Sequence, residues 1–186
     1  NKSFIIKIIV LCLVTIKVSA IEKVILFGDS LMAGYGLPNE QHLSVVLQNN
    51  LSLEGHNIEI INGSVSGSTS AGGLNIAEWT LSELGIDLMI LCLGANDMLR
   101  GINPKETKNN LEEIIKIAKS KNIKVIIAGM IVPTSYGFEY KKSFDKIFSD
   151  LSKKYQLQLI PFLLEGVAQK PEFNLSDGMH PNDQGT

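Results

Sequence analysis

Val24-Ile25-Leu26-Phe27-Gly28-Asp29-Ser30-Leu31 is the stretch that decides the fold. Four apolar residues without alternation describe a strand buried on both faces, and a glycine then turns the chain. Ser30 follows that strand and opens a helix, so its hydroxyl would project from a helix N-terminus beside free backbone N–H donors. The same unit recurs along the chain. Strands are expected at 24–27, 58–61, 88–93, 125–128 and 157–160. Helices are expected at 43–53, 74–84, 104–121 and 139–155. The helix from Pro104 is the clearest, with Leu111, Ile114, Ile115 and Ala118 on one face. Asn103 can cap it, Pro104 suits its first turn and Glu106 can reach back to close the cap. Strand–helix alternation with no Pro/Gly/Ser linker implies a single α/β domain of three layers around a parallel sheet.

Composition agrees with one folded domain. The chain has 186 residues, 45% of them hydrophobic and 19% charged, which is too apolar and too weakly charged for a disordered chain. Two cysteines cannot build a disulfide scaffold, and Cys92 lies inside an apolar run where it reads as a small buried hydrophobe. Residues 1–20 need separate treatment. Lys2 and Lys7 lead into an apolar run that ends at Val18-Ser19-Ala20, the pattern of a secretory signal peptide, with an uncleaved anchor as the alternative. Residues 21–186 would then be the mature domain, exported to a periplasm or secreted. Without Lys2, Lys7 and Lys17 that domain carries 14 basic and 19 acidic residues. A net acidic domain gains little from counterion release, so nucleic acid is disfavoured as a partner.

In an open α/β sheet, ligands bind beyond the carboxyl ends of the strands. The residues expected there are Gly28-Asp29-Ser30-Leu31, Asn62 to Thr69, Gly94-Ala95-Asn96-Asp97, and Asp177-Gly178-Met179-His180-Pro181-Asn182. One hydroxyl, one glycine turn, one amide and one carboxylate–imidazole pair at the same edge are the parts of a serine hydrolase. His180 suits a general base because imidazole titrates near neutrality, and Asp177, three residues earlier, can orient it. The Ser30 and Gly67 N–H groups and the Asn96 side-chain amide are candidate donors to an oxyanion. Taken singly, each has a plainer reading: Ser30 a helix cap, His180 a surface histidine, Asp177 the cap of an Asp-Gly turn, Gly67 a flexible loop, Asn96 an Asn-Asp turn. A metal site at Asp177 and His180 lacks further ligands, since His42 and His56 read as surface positions on or after a helix. Asp29 and Asp97 read as structural acceptors that hold the two loops.

The four blocks, in order along the chain, resemble those of the SGNH (GDSL) hydrolases. The longer stretches Gly28 to Leu37 and Asn96 to Gly101 are similar to the secreted branch that includes thioesterase I, lysophospholipase L1 and arylesterase. The resemblance implies a five-stranded, flavodoxin-like sheet of order 2-1-3-4-5 and no cofactor. It also implies Ser30 as nucleophile, Asp177 and His180 completing the triad, and Ser30, Gly67 and Asn96 as the oxyanion hole. Family members continue into a final helix, so the chain departs from the pattern after Thr186. An acyl ester or thioester would be the substrate, with Met32, Tyr35, Met98, Leu99, Tyr136 and Phe138 as candidate acyl-pocket residues, and a monomer is expected. Two alternatives stay open: deacetylation of a carbohydrate by the same residues, and a non-catalytic module binding phosphate or nucleotide at the Gly28–Gly34 loop. No Lys follows Gly34, which weakens the second.

Overall fold

The computed structural model describes residues 21–83 and 85–186, so the signal-peptide expectation for residues 1–20 lies outside the described residues. Its strands are β1 (Lys23–Gly28), β2 (Glu59–Asn62), β3 (Leu88–Cys92), β4 (Lys124–Ala128) and β5 (Gln158–Ile160). All pair in parallel in the order β2-β1-β3-β4-β5, as the resemblance implied. The helices are α1 (Ser30–Ala33), α2 (Leu43–Leu53), α3 (Ser70–Thr80), α4 (Ala95–Leu99), α5 (Pro104–Ser120) and α6 (Phe138–Tyr155). Among the described residues, no helix is long and apolar enough to cross a membrane.

The core forms where periodicity and sheet order agree. Ile25 and Phe27 of β1, Met89 and Leu91 of β3 and Ile127 of β4 are all buried. Leu111, Ile114, Ile115 and Ala118 of α5 pack into the same cluster, as do Phe144, Ile147, Phe148 and Leu151 of α6. Each buried Leu, Ile, Met or Phe contributes roughly 1.5–3 kcal/mol, which outweighs the weaker helix propensity of Ile114, Ile115 and Ile147. Asn103 caps α5 by accepting from the Lys105 N–H. Burial on both faces holds for β1 but not for the edge strands: Glu59 and Asn62 of β2 and Gln158 of β5 are exposed.

One helix begins earlier than its sequence pattern predicts. α3 starts at Ser70 rather than Leu74, because the Thr69 hydroxyl accepts from the Gly72 N–H and so caps the chain at that point. Gly72 and Gly73 hide this first turn from any propensity argument. Gly73 has a packing reason: a Cβ there would stand 2.3 Å from the Leu93 side chain. Gly28 has one too, since a Cβ would meet the Cys92 carbonyl at 2.7 Å. That close approach brings the ends of β1 and β3 together, and with them the loops that begin at Asp29 and Gly94.

Candidate active site

Ser30 is the first residue of α1, and Asp29 is its cap, with Oδ1 accepting the Leu31 N–H at 3.1 Å. The other side of the site comes from the loop after β5. Its hairpin is closed by the Asn174–Pro181 bridge and by the Leu175 N–H donating to the His180 carbonyl at 2.7 Å. Asn174 and Asn182 pin this hairpin from inside. Asn174 Nδ2 donates to the Val167 and Lys170 carbonyls, and Asn182 Nδ2 to those of Glu172 and Asn174.

Within the hairpin, Asp177 Oδ1 accepts the N–H groups of Met179 and His180 at 2.9 and 3.0 Å, and Oδ2 lies 2.7 Å from His180 Nδ1. The His180 and Met179 backbone bonds, with the imidazole behind them, hold this carboxyl down at about 2. Asp177 is therefore ionised at neutral pH and can only accept. The proton between the two groups sits on Nδ1, and in the neutral ring Nε2 is left as the acceptor. Nε2 lies 2.9 Å from Ser30 Oγ, so the serine hydroxyl donates to it across 150 positions of sequence. The chain brings Ser30, His180 and Asp177 into one relay.

The amide of Asn96, in the first turn of α4, lies beside Asp29, the residue before Ser30. Its Nδ2 donates to the Ser68 carbonyl at 3.1 Å and points toward Asp29 Oδ2 at 3.5 Å. Two acceptors on one side fix which end of the amide is nitrogen. Gly67 lies in the same loop as Ser68 with φ +79°, a conformation that glycine adopts without the steric cost of a Cβ. Arg100 Nη2 donates to the Gly67 carbonyl at 3.1 Å.

Asp29 and Asp97 hold the loops, as their sequence positions suggested. Both are fully buried. Asp97 accepts from the Ser70 N–H and hydroxyl and from the Thr107 hydroxyl. Burial pushes the Asp29 carboxyl up to about 6 against the Leu31 N–H bond, the His180 charge and the Asn96 amide. Of the candidate acyl-pocket residues, Tyr35 stands beside the relay, its ring centre 4.5 Å from that of His180. Met32 is corrected: it is 1% exposed and packs beneath Gly28, because two residues beyond Ser30 the helix has turned it inward. Met98 packs against the core, while Leu99 is exposed. Tyr136 stacks on Tyr140, and Phe138 lies under the Lys142 ammonium. His42 is not a free surface group either; its Nε2 lies 3.1 Å from the Leu37 carbonyl.

Sequence reasoning missed Arg100, Ser68, Asn174 and the polar partners of Asp97. Arg100 and Asn182 lay inside the motif stretches, but nothing in the local pattern assigned them a partner.

Comparison with known proteins places the chain among ester hydrolases. Residues 26–186 match the model of the GDSL-like lipase/acylhydrolase family. An arylesterase of Vibrio mimicus is 39% identical over 165 residues, covering 89% of this chain and 82% of that protein. The thioesterase 1/protease 1/lysophospholipase L1 of Escherichia coli is 31% identical over 172 residues, covering 92% and 81%. The crystal structure of AlinE4, described as an SGNH-hydrolase family esterase, superposes with a TM-score of 0.81 at 38% identity and 88% coverage of each chain.

Proposed function

Because the chain belongs to the GDSL-like lipase/acylhydrolase family and is an ester or thioester hydrolase of the SGNH type, we propose that Ser30, His180 and Asp177 carry out its chemistry. The observation that carries this reading is the position of His180, with Nε2 at 2.9 Å from Ser30 Oγ and Nδ1 at 2.7 Å from Asp177 Oδ2. Ser30 Oγ attacks the acyl carbonyl carbon as its proton passes to His180 Nε2. Asp177 steadies the imidazolium that results without taking its proton. The carbonyl oxygen becomes an oxyanion held by the N–H groups of Ser30 and Gly67 and by Asn96 Nδ2, which gives it the hydrogen now directed at Asp29 Oδ2 across 3.5 Å. When the carbonyl reforms, the bond to the leaving oxygen or sulfur breaks and His180 Nε2 returns the proton to it. Water, deprotonated by the same nitrogen, then attacks the acyl-Ser30 ester; the bond to Ser30 Oγ breaks, Nε2 returns the proton to that oxygen, and the acid leaves.

The substrate is a small acyl ester or thioester whose carbonyl enters beside Tyr35. The lining of the site near Ser30 includes Tyr35, Leu37, Leu43 and Pro181, which suits an apolar group next to the reacting carbon. Residues 1–20 read as an export signal, which would place this activity in a periplasm or outside the cell. The test is hydrolysis of p-nitrophenyl esters from acetyl to palmitoyl by the parent and by Ser30→Ala. Parental turnover that falls by about 10^3-fold or more in Ser30→Ala is expected. Comparable rates in both proteins would overturn Ser30 as nucleophile.

A further inference from the structure

Asn96 and Arg100 stand four positions apart, on α4 and at its C-terminal cap, and the Arg100 N–H donates to the Asn96 carbonyl at 3.1 Å. Residues at this spacing share a helix face. From that face the two side chains grip consecutive peptide carbonyls of one loop: Arg100 Nη2 holds Gly67 O and Asn96 Nδ2 holds Ser68 O, each at 3.1 Å. The N–H side of Gly67 is lightly restrained. The residue is exposed, and a Cβ built on it would meet nothing within 4 Å. The turn closed by the Ser68 N–H on the Val65 carbonyl holds the other edge of the same Gly67–Ser68 peptide, whereas the Ser66–Gly67 peptide, which carries the Gly67 N–H, makes no backbone bond of this kind among the described residues.

We propose that Arg100 is a positioning residue of the oxyanion hole, which aims the Gly67 N–H by clamping the Gly67 carbonyl to the helix that carries Asn96. This rests on the reading of Gly67 as an oxyanion donor. Fixing the carbonyl on one side of Gly67 restricts ψ of a residue with unusually wide conformational freedom. With that peptide held by the clamp and the turn together, φ is the one torsion of Gly67 through which its N–H can still swing, so the clamp narrows the range of that N–H. A guanidinium suits the task because its planar fork is already organised, whereas the lysine ammonium is a hydrated point charge on a longer lever. The bond is exposed, so it adds little to global stability; its effect falls on catalysis, where small misplacements of a donor are costly.

The test uses p-nitrophenyl acetate, a neutral substrate, with Arg100→Met, Arg100→Lys, Gly67→Ala and the double variant Arg100→Met/Gly67→Ala. Complete loss of one oxyanion donor costs about 10^2–10^3-fold in kcat, so a loosened one should cost about tenfold. Arg100→Met should lower kcat by about that factor with KM within about twofold and the melting temperature unchanged, and Arg100→Lys should lie between it and the parent. On the Gly67→Ala background, Arg100→Met should cost less than about twofold, because the group it acts through is already displaced. A further variant, Arg100→Ala, should lose kcat like Arg100→Met, and guanidinium added at tens of millimolar should restore part of that loss where ammonium does not. An unchanged kcat in Arg100→Met would overturn the proposal. So would a change confined to KM, or a full tenfold loss that persists beside Gly67→Ala. Failure of the reading itself would look different: a parent that hydrolyses no ester, or a Ser30→Ala variant as active as the parent, removes the site and Arg100's role together.

Discussion

The ring of Tyr35 lies against that of His180, centre to centre 4.5 Å, with the planes tilted by 38°. The Tyr35 N–H reaches the Ser30 carbonyl at 3.4 Å, so one backbone turn carries both Ser30 and the ring that backs His180. An aromatic pair of this kind contributes about 0.5–1.5 kcal/mol beyond burial, and here it limits the freedom of the imidazole to swing away from Ser30. Tyr35→Ala is expected to lower kcat/KM for p-nitrophenyl acetate by roughly 2- to 10-fold, the range that this energy spans. Tyr35→Phe keeps the ring and should stay within about twofold of the parent. If the Phe variant falls as far as the Ala variant, the hydroxyl rather than the ring face is what matters.

Asp29 predicts a pH dependence of stability. The folded protein keeps its proton up to about pH 6, whereas the ordinary value for an aspartate is 3.8. Between those two values the folded chain binds more protons than the unfolded one, so stability falls as pH rises through the window. Below it the contribution is fully present. Above it the buried charge is a constant burden, on the order of 2–3 kcal/mol. Asp29→Asn keeps an acceptor for the Leu31 N–H and removes the titration. Urea denaturation at pH 4, 5, 6 and 7 should show the parent losing stability relative to Asp29→Asn as pH increases. Parallel curves for the two proteins would mean that Asp29 is ionised in the fold throughout this range.

Much of this was legible in the sequence, for a physical reason. The strands and α5 are written in local apolar periodicity, and the four motif blocks fall where a parallel sheet must end its strands. The Ser30–His180 contact, though long in range, was legible because both residues lie in such blocks. What escaped were bonds from side chains to distant backbone. Arg100 on Gly67 O and Asn96 on Ser68 O span about thirty positions and leave no periodic trace. Met32 was assigned to the pocket by its nearness to Ser30 in sequence. A helix rotates about 100° per residue, and the structure buries it. The start of α3 was hidden because Gly73 is selected there by Leu93, a contact that no local pattern contains.

Asp97 stands next to Asn96 and yet faces the opposite way, into the protein, where one carboxyl ties three helices. Its Oδ2 accepts the Ser70 N–H at 2.7 Å, and its Oδ1 accepts the hydroxyls of Ser70 and Thr107. Ser70 opens α3, Thr107 lies in the first turns of α5, and Asn110 of α5 donates to the Ser70 hydroxyl at 3.0 Å. Removing the carboxyl strands three buried donors at once, each costing about 1–3 kcal/mol, whereas Ser70→Ala removes a hydroxyl and leaves Asp97 with two donors. Asp97→Ala should therefore lower the unfolding free energy by about 3–5 kcal/mol, and Ser70→Ala by about 1–2 kcal/mol. Asp97→Asn should recover part of the loss, because its oxygen can take the Ser70 N–H while its amide donates to the Ser70 and Thr107 hydroxyls, which can turn to accept. Since α4 carries Asn96, kcat should fall in the Asp97 variants even at temperatures where they remain folded. Urea titration followed by fluorescence, with p-nitrophenyl acetate turnover at the same temperature, separates the two effects. Equal losses of stability in Asp97→Ala and Ser70→Ala would show that the three helices are held by their apolar contacts and not by this carboxyl.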